Sequence, residues 1–239
     1  MNTKETDITI DNNQKDLASD SKRILFIVTS VDHIGPNNSE TGYEFSEVAQ
    51  PYLTFTADGY QVDFASPKGG RPPEDGYNER DSSSVIFRNS TGFKGLNESL
   101  RLADVEWNKY DAIFFPGGLG PMADLMDEPL VKKAITEVYE SGRVVGAVCH
   151  GPVALMNVTM SDESNFLHGK EVAAFTEAEE EGHSKDDVPF MLDAAVSQQG
   201  AKHTCANPFE PHVVVDGRLV TGQNPASASG VASAMIDLL

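Results

Sequence analysis

Short apolar runs rich in β-branched and aromatic residues recur along this chain, and helical patterns fill the gaps between them. RILFIVTS (23–30), DAIFFPGG (111–118), VVGAVCH (144–150) and KEVAAFT (170–176) each have the length and composition of a fully buried strand. QVDFASP (61–67) alternates more and predicts a further strand. Helical patterns fall at roughly 46–58, 128–141, 151–157 and 187–199. A strand with no polar face must be covered on both sides, and alternating strands and helices supply that cover. The pattern predicts an α/β fold: a doubly wound, mostly parallel sheet sandwiched by helices.

Near the end, HVVVDGRLVTGQNP places Asp216-Gly217 between two apolar runs and predicts a hairpin, and ASASGVASAMIDLL closes the chain as a helix rich in small residues. Two segments stand apart. Residues 69–106 are polar and turn-rich and read as an excursion from the core, and TEAEEEGHSKDD (176–187) reads for most of its members as a solvated loop. The first 22 residues hold no apolar run long enough for a signal peptide or a membrane span. They are expected to be a flexible polar arm ahead of one domain over 23–239.

Charge and cysteine usage narrow the function classes. A formal charge of −19 argues against nucleic-acid binding, which needs a basic surface. The two cysteines, Cys149 and Cys205, form no CxxC pattern, so neither a disulfide framework nor a zinc site is implied. A reducing cytoplasm is the expected compartment, and no metal ligand set is assigned. Cys205, after GAKHT, is expected to be structural.

Ligands of doubly wound sheets collect at the carboxyl ends of the strands, and Cys149 stands at one. In AVCHG, Ala147 and Gly151 flank it at a spacing of two, as the tight strand-to-helix turn of a nucleophile elbow requires. Such a turn sets the sulfur at a helix N-terminus, which favours thiolate. Free cysteine is also a common small core hydrophobe, and the elbow pattern alone does not separate the two readings.

A second strand end carries FFPGGLGPMADL (114–125). Gly118 to Ala123 match the G-x-G-x-x-A dinucleotide fingerprint, but that reading needs an acidic residue at the end of the next strand, which here ends in Cys149-His150. The glycines suit another use: their amides, with that of His150, can form an oxyanion hole facing the sulfur. His150 directly follows the cysteine, so its ring is expected to point away from the sulfur, and a catalytic role would need an orienting carboxylate. The third element, TGYEFSEVAQPY (41–52), begins a helix that Ser46 or Thr41 can cap, with Glu44 and Glu47 in its first turn. Dipole complementarity explains carboxylates there, yet one buried near Cys149 could be driven to its protonated form and donate to the thiolate, or act as a base.

Taken together, the blocks TGYEFSEVAQPYLTFTADGYQVDFASPKGG, YDAIFFPGGLGPMADL, VVGAVCHGPVAL and LVTGQNPASA, in that order, resemble the ThiJ/PfpI superfamily over about residues 23–239. The resemblance implies the flavodoxin-like fold of class-I glutamine amidotransferases. The 69–106 segment and the helix start resemble the glutathione-independent glyoxalase branch, whose members are also described as stress chaperones. It further implies Cys149 as nucleophile and Glu47, four residues before Pro51, as its acidic partner. His150 matches the histidine after the family's cysteine. Its orienting acid should lie in FTEAEEE, with Glu180 fitting best and Glu179 the near rival. Gly117, Gly118 and the His150 amide would line the oxyanion site. Leu119 departs from the histidine of many relatives.

The implied reaction is cofactor-free conversion of a 2-oxoaldehyde such as methylglyoxal to a 2-hydroxy acid through a cysteine hemithioacetal, with a depressed thiol pKa supplying the nucleophile and a homodimer as the expected assembly. Deglycation of thiols or amines would use the same pocket. Two other readings share these residues. A redox sensor or holdase chaperone has no use for a Glu180–His150 pair. A cysteine peptidase or amidohydrolase needs an open groove, where the bulky Tyr43 and Leu119 suggest a small pocket.

Overall fold

Runs of residues with no exposed face can pair only inside a sheet, and four of the five predicted strands do so. The computed structural model describes residues 22–239, so all of the predicted N-terminal arm but Lys22 lies outside the described residues. The central sheet has seven strands: β1 (Arg23–Ile27), β2 (Gln61–Ser66), β3 (Leu100–Arg101), β4 (Ala112–Phe115), β5 (Val144–Val148), β6 (Val213–Asp216) and β7 (Leu219–Gly222). Their spatial order is β6-β7-β5-β4-β1-β2-β3, and every pairing is parallel except the β6–β7 hairpin at one edge. The sheet is thus the doubly wound, mostly parallel one the pattern predicts.

Side-chain alternation divides the core in two. Ile24, Phe26 and Val28 face α1 (Phe45–Ala57) and α4 (Ala228–Leu238), while Leu25 and Ile27 face the layer of α2 (Pro129–Glu140) and α3 (Leu192–Gln198). On the first face, Phe26 sits at the centre of an aromatic cluster, with Phe55, Phe64 and Phe114 rings 4.8–5.9 Å away. These edge-on and tilted contacts fix β1, whose far end leads toward the site.

The differences from expectation have local causes. In KEVAAFT only Glu171–Val172 is strand, and it pairs with Lys202–His203 outside the main sheet. The Ala173 amide donates instead to the Thr221 hydroxyl and the Phe175 amide to the Cys149 carbonyl, so this run packs across the sheet's end. The segment 151–157 is a 3-10 turn over Gly151–Leu155, not an α-helix, and the 187–199 helix starts only at Leu192. The 69–106 excursion contributes to the core: its helices Ser82–Arg88 and Thr91–Asn97 bury Phe87 and Leu96, and its end supplies edge strand β3. In the hairpin, Asp216 pairs with Leu219, so the loop is Gly217-Arg218, one residue later than predicted. Gly217 has φ +60° and Arg218 is not left-handed, as a type II′ turn requires. Cys205 is exposed, against the structural role expected of it.

Candidate active site

Strand β5 ends at Val148, and the chain turns sharply at Cys149, which has φ +61°. A left-handed conformation at a non-glycine residue is strained and persists only where its surroundings enforce it. Here the Cys149 amide donates to the Gly222 carbonyl and its carbonyl accepts from the Phe175 amide, so the turn is pinned on both sides. Gly151 must be small, because a Cβ there would lie 2.1 Å from the Phe115 carbonyl oxygen. The elbow's geometry is present, but the chain continues from it into a short 3-10 turn, so little helix dipole is aimed at the sulfur.

His150 does not turn away. Its Nδ1 lies 3.3 Å from the Cys149 sulfur, and its Nε2 lies 2.6 Å from Glu180 Oε1. The Ser184 hydroxyl donates to the other Glu180 oxygen, and the Phe175 ring packs against the imidazole with centroids 4.5 Å apart. Glu180, not Glu179, reaches the histidine. Glu179 is equally buried but occupied: it caps its own helix with Thr176 and accepts from the Phe209 amide and Asn224. Within the acidic segment read as solvated, Thr176, these two glutamates and Ser184 are the buried members.

Glu47 approaches from α1. Glu44, rather than Ser46 or Thr41, caps that helix by accepting from the Ser46 amide and hydroxyl. Pro51 lacks the amide that would bond the Glu47 carbonyl one turn earlier. The Glu47 side chain is fully buried; its Oε2 accepts from the Gly117 amide at 2.6 Å, and its Oε1 has no hydrogen-bond partner among the described residues.

This corrects one assignment in the predicted oxyanion site. The Gly117 amide is engaged by Glu47 and is not free for an oxyanion. Gly117 is needed instead for close packing, since a Cβ there would lie 2.7–2.9 Å from the His150 amide nitrogen, Glu47 Oε2 and Cys149 Cβ. Gly118, at φ +87°, takes a conformation suited to glycine, and its amide has no hydrogen-bond acceptor among the described residues.

Electrostatics differ sharply within the site. Burial first, and the neighbouring Glu44 carboxylate second, push Glu47 well above the usual carboxylate range, against its contacts with the Cys149 thiol and the Gly117 amide. Burial also pushes the Cys149 thiol up, and a charged Glu47 would push it further, which overturns the expectation of a depressed thiol pKa. A protonated Glu47 removes that second cause. For Glu180, burial acts upward, but the His150 hydrogen bond and charge, with Ser184, more than offset it and leave the carboxyl below its ordinary value.

A cavity of about 350 Å³ opens over these groups, lined by Glu47, Cys149, His150, Gly118 and Leu119 together with Phe175, His183 and Phe209. Tyr43 does not line it; that ring is buried with its hydroxyl toward Glu74. Sequence reasoning missed Ser184 and the pinning carbonyl of Gly222. Ser184 stands four residues after Glu180, the spacing of one helical turn, which is the signal that could have found it. Among the described residues, no group of three or more His, Cys, Asp or Glu is arranged to hold a metal ion, and no helix is long and apolar enough to cross a membrane.

A parallel α/β sheet that ends in a strained cysteine, with a histidine–carboxylate pair and a buried acid beside it, defines an elbow-type cysteine site. The chain belongs to the DJ-1/PfpI family, whose model matches residues 39–238. It is 32% identical over 221 residues to the glutathione-independent glyoxalase hsp3102 of Schizosaccharomyces pombe, covering 85% of this chain and 91% of that protein. Among solved structures it is similar to the Rapid Encystment Protein 24 kDa of Francisella tularensis, with a TM-score of 0.87, 33% identity, and coverage of 91% of this chain and 98% of that one. It is also similar to glyoxalase III of Candida albicans, with a TM-score of 0.81, 26% identity, and coverage of 91% and 97%.

Proposed function

We propose that this protein is a glutathione-independent glyoxalase that converts small 2-oxoaldehydes such as methylglyoxal to 2-hydroxy acids. The observation that carries the reading is the placement of Cys149 between a histidine–carboxylate pair and a buried, protonated acid, under a cavity of small-molecule size. The glyoxalase names of relatives matched over most of the chain support it.

The chemistry is set by where protons sit. The thiol is protonated at rest, so attack on the aldehyde carbon needs a base, and His150 Nδ1 is within reach of the sulfur. Glu180 holds the ring at Nε2 and stabilises the imidazolium that forms. As the sulfur adds, Glu47 donates its proton to the aldehyde oxygen, giving the hemithioacetal, and becomes the carboxylate. It then takes the proton from C1 while the imidazolium protonates the C2 oxygen, giving an enediol. Return of the Glu47 proton to C2, with loss of the C1 hydroxyl proton to His150, leaves a thioester. The Glu47 carboxylate then takes a proton from water as the water oxygen adds to the thioester carbonyl, and the imidazolium protonates the departing sulfur, releasing the 2-hydroxy acid and returning the thiol, Glu47 and His150 to their resting forms. In this reading the Gly118 amide, which has no acceptor among the described residues, and the His150 amide donate to the developing oxyanion.

A redox sensor would gain nothing from the His150–Glu180 pair, and the cavity fits a few-carbon substrate better than a peptide. The protein acts in this reading as a cytoplasmic homodimer, on a small aldehyde and without nucleic acid. The test is lactate formation from methylglyoxal without glutathione, for wild type beside Cys149→Ala, Glu47→Gln and His150→Ala. Turnover by wild type and its loss in all three is the expected result; a wild type that is inactive while its thiol reacts readily with peroxide would sink the enzyme in favour of the sensor.

A further inference from the structure

The wall of the Cys149 cavity includes four carboxylates: Glu40 and Asp75, which are exposed, and Glu44 and Asp187, which are half-buried. Among the described residues none of the four is ion-paired with a lysine or arginine, and no lysine or arginine lines the cavity. The contrast with a neighbour is sharp: Glu74, one residue from Asp75, is held by Arg88 through two hydrogen bonds of 2.8 and 3.0 Å. The partners of the cavity carboxylates are neutral: Ser39 for Asp187, Ser46 for Glu44 and the Gly76 amide for Asp75. None cancels the charge. Glu44 also caps α1, so Glu40, Asp75 and Asp187 are the members of the wall open to substitution. Deeper in, the unpartnered Oε1 of fully buried Glu47 marks the place where an entering polar group would be received.

We propose that this acidic wall makes the cavity selective for substrate charge, admitting neutral 2-oxoaldehydes and turning away those that carry a carboxylate or phosphate. An adduct of glutathione, itself an anion at neutral pH, falls in the rejected class. The identity of the substrate rests on the glyoxalase reading; the charge selection does not. A cleft lined by one sign of charge shifts the local concentration of a charged visitor by about tenfold or more.

The deciding experiment uses the two cysteines of one molecule. Cys149 lies under the wall and Cys205 is exposed outside the cavity, so Cys205 is the internal reference. Alkylation by iodoacetamide, which is neutral, and by iodoacetate, which is an anion, is followed at each cysteine by peptide mass. At about 0.01 M ionic strength, where the Debye length is roughly 30 Å, the iodoacetamide-to-iodoacetate rate ratio at Cys149 should exceed that at Cys205 by about tenfold. It should collapse toward the Cys205 value at about 1 M salt, where the Debye length is roughly 3 Å, and in the triple variant Glu40→Gln/Asp75→Asn/Asp187→Asn. Glu44 is left in place because it caps α1. Equal ratios at the two cysteines, or a Cys149 ratio unmoved by the triple substitution, would overturn the proposal. A second arm compares kcat/KM for 4,5-dioxopentanoate with that for its methyl ester, which wild type should favour and the triple variant should favour less. If methylglyoxal and both of these compounds go unconverted, the glyoxalase reading falls while the alkylation ratios still decide the charge selection.

Discussion

Glu47 and Glu180 are both almost without solvent exposure, at 0% and 1%, and both serve the environment of Cys149, yet Glu47 lies deeper among packed atoms and their acidities move in opposite directions. Burial alone pushes any carboxyl upward by withholding water from its charged form. Glu47 receives one amide hydrogen bond, on Oε2, and no cation, so burial wins. Glu180 has the His150 ring at 2.6 Å and the Ser184 hydroxyl, and these win over burial. Depth and partners together therefore decide which carboxyl is the acid and which the anion. One small site thereby holds a proton donor and a charge stabiliser at the same pH.

Replacing each by its neutral isostere should separate the two. Glu47→Gln removes the transferable proton and should lower kcat/KM by about 10²–10⁴-fold, the usual range for losing a general acid–base. It should leave folding stability nearly unchanged, because the wild-type group is already uncharged there. Glu180→Gln deprives His150 of its anion and should lower stability by about 2–3 kcal/mol, toward the range seen when one member of a buried pair is removed. Urea denaturation of both variants beside turnover assays checks the contrast. Equal destabilisation by the two substitutions would mean that Glu47 is also ionised, and the comparison would fail.

A smaller effect tests how tightly the two sides are held together. Gly117 separates Glu47 from the elbow, and its missing Cβ leaves room for the His150 amide, Glu47 Oε2 and Cys149 Cβ at once. Gly117→Ala should therefore destabilise by about 1–3 kcal/mol through overpacking and displace Glu47 from the sulfur. Turnover should fall with kcat affected more than KM. A crystal structure of the variant with Glu47 undisplaced and turnover intact would show that the close approach is not needed.

The physical reasons for what the chain disclosed are visible in the same residues. Runs such as RILFI and AIFF disclose their place because residues without a polar face can pair only inside a covered sheet, and both lie in it. Small residues around Cys149 disclose the turn, because sterics at a sharp bend act locally. Placement of the His150 ring was not legible, since adjacency in sequence to the left-handed Cys149 does not set the rotamer of the next side chain. Nor was the occupation of the Gly117 amide by Glu47, a contact between residues 70 positions apart. The choice between Glu179 and Glu180 had a local clue: Thr176 and Glu179 have the spacing of a capping box, which commits Glu179 to its own helix and leaves Glu180 free to face His150. KEVAAFT misled because composition fits a central strand, whereas its amides are claimed by Thr221 and Cys149 across the sheet's end.

The contrast of acid and anion extends to a third carboxyl, where the effect is slightest. Asp124 comes after the glycine loop and accepts from the Thr29 hydroxyl at 2.9 Å and the Ser30 amide at 2.7 Å, tying the loop to the end of β1. Burial outweighs these bonds and raises its pKa to about 6. A carboxyl raised in the folded state binds its proton more tightly there than in the unfolded chain. Its contribution to stability is therefore fully present below the unfolded value and is lost as pH rises through about 6. Glu47 has the same sign over a higher range, while Glu180, being lowered, stabilises above its unfolded value and loses that contribution as pH falls through its folded one. Asp124→Asn cannot titrate, so wild-type stability measured against it should decline by about 1–2 kcal/mol between pH 4 and pH 7, on the scale of 1.36 kcal/mol per pKa unit. Denaturation midpoints for the two proteins across that window give the difference directly. A wild type that gains stability over Asp124→Asn as pH rises would place Asp124 with Glu180, as a carboxylate whose hydrogen bonds outweigh its burial.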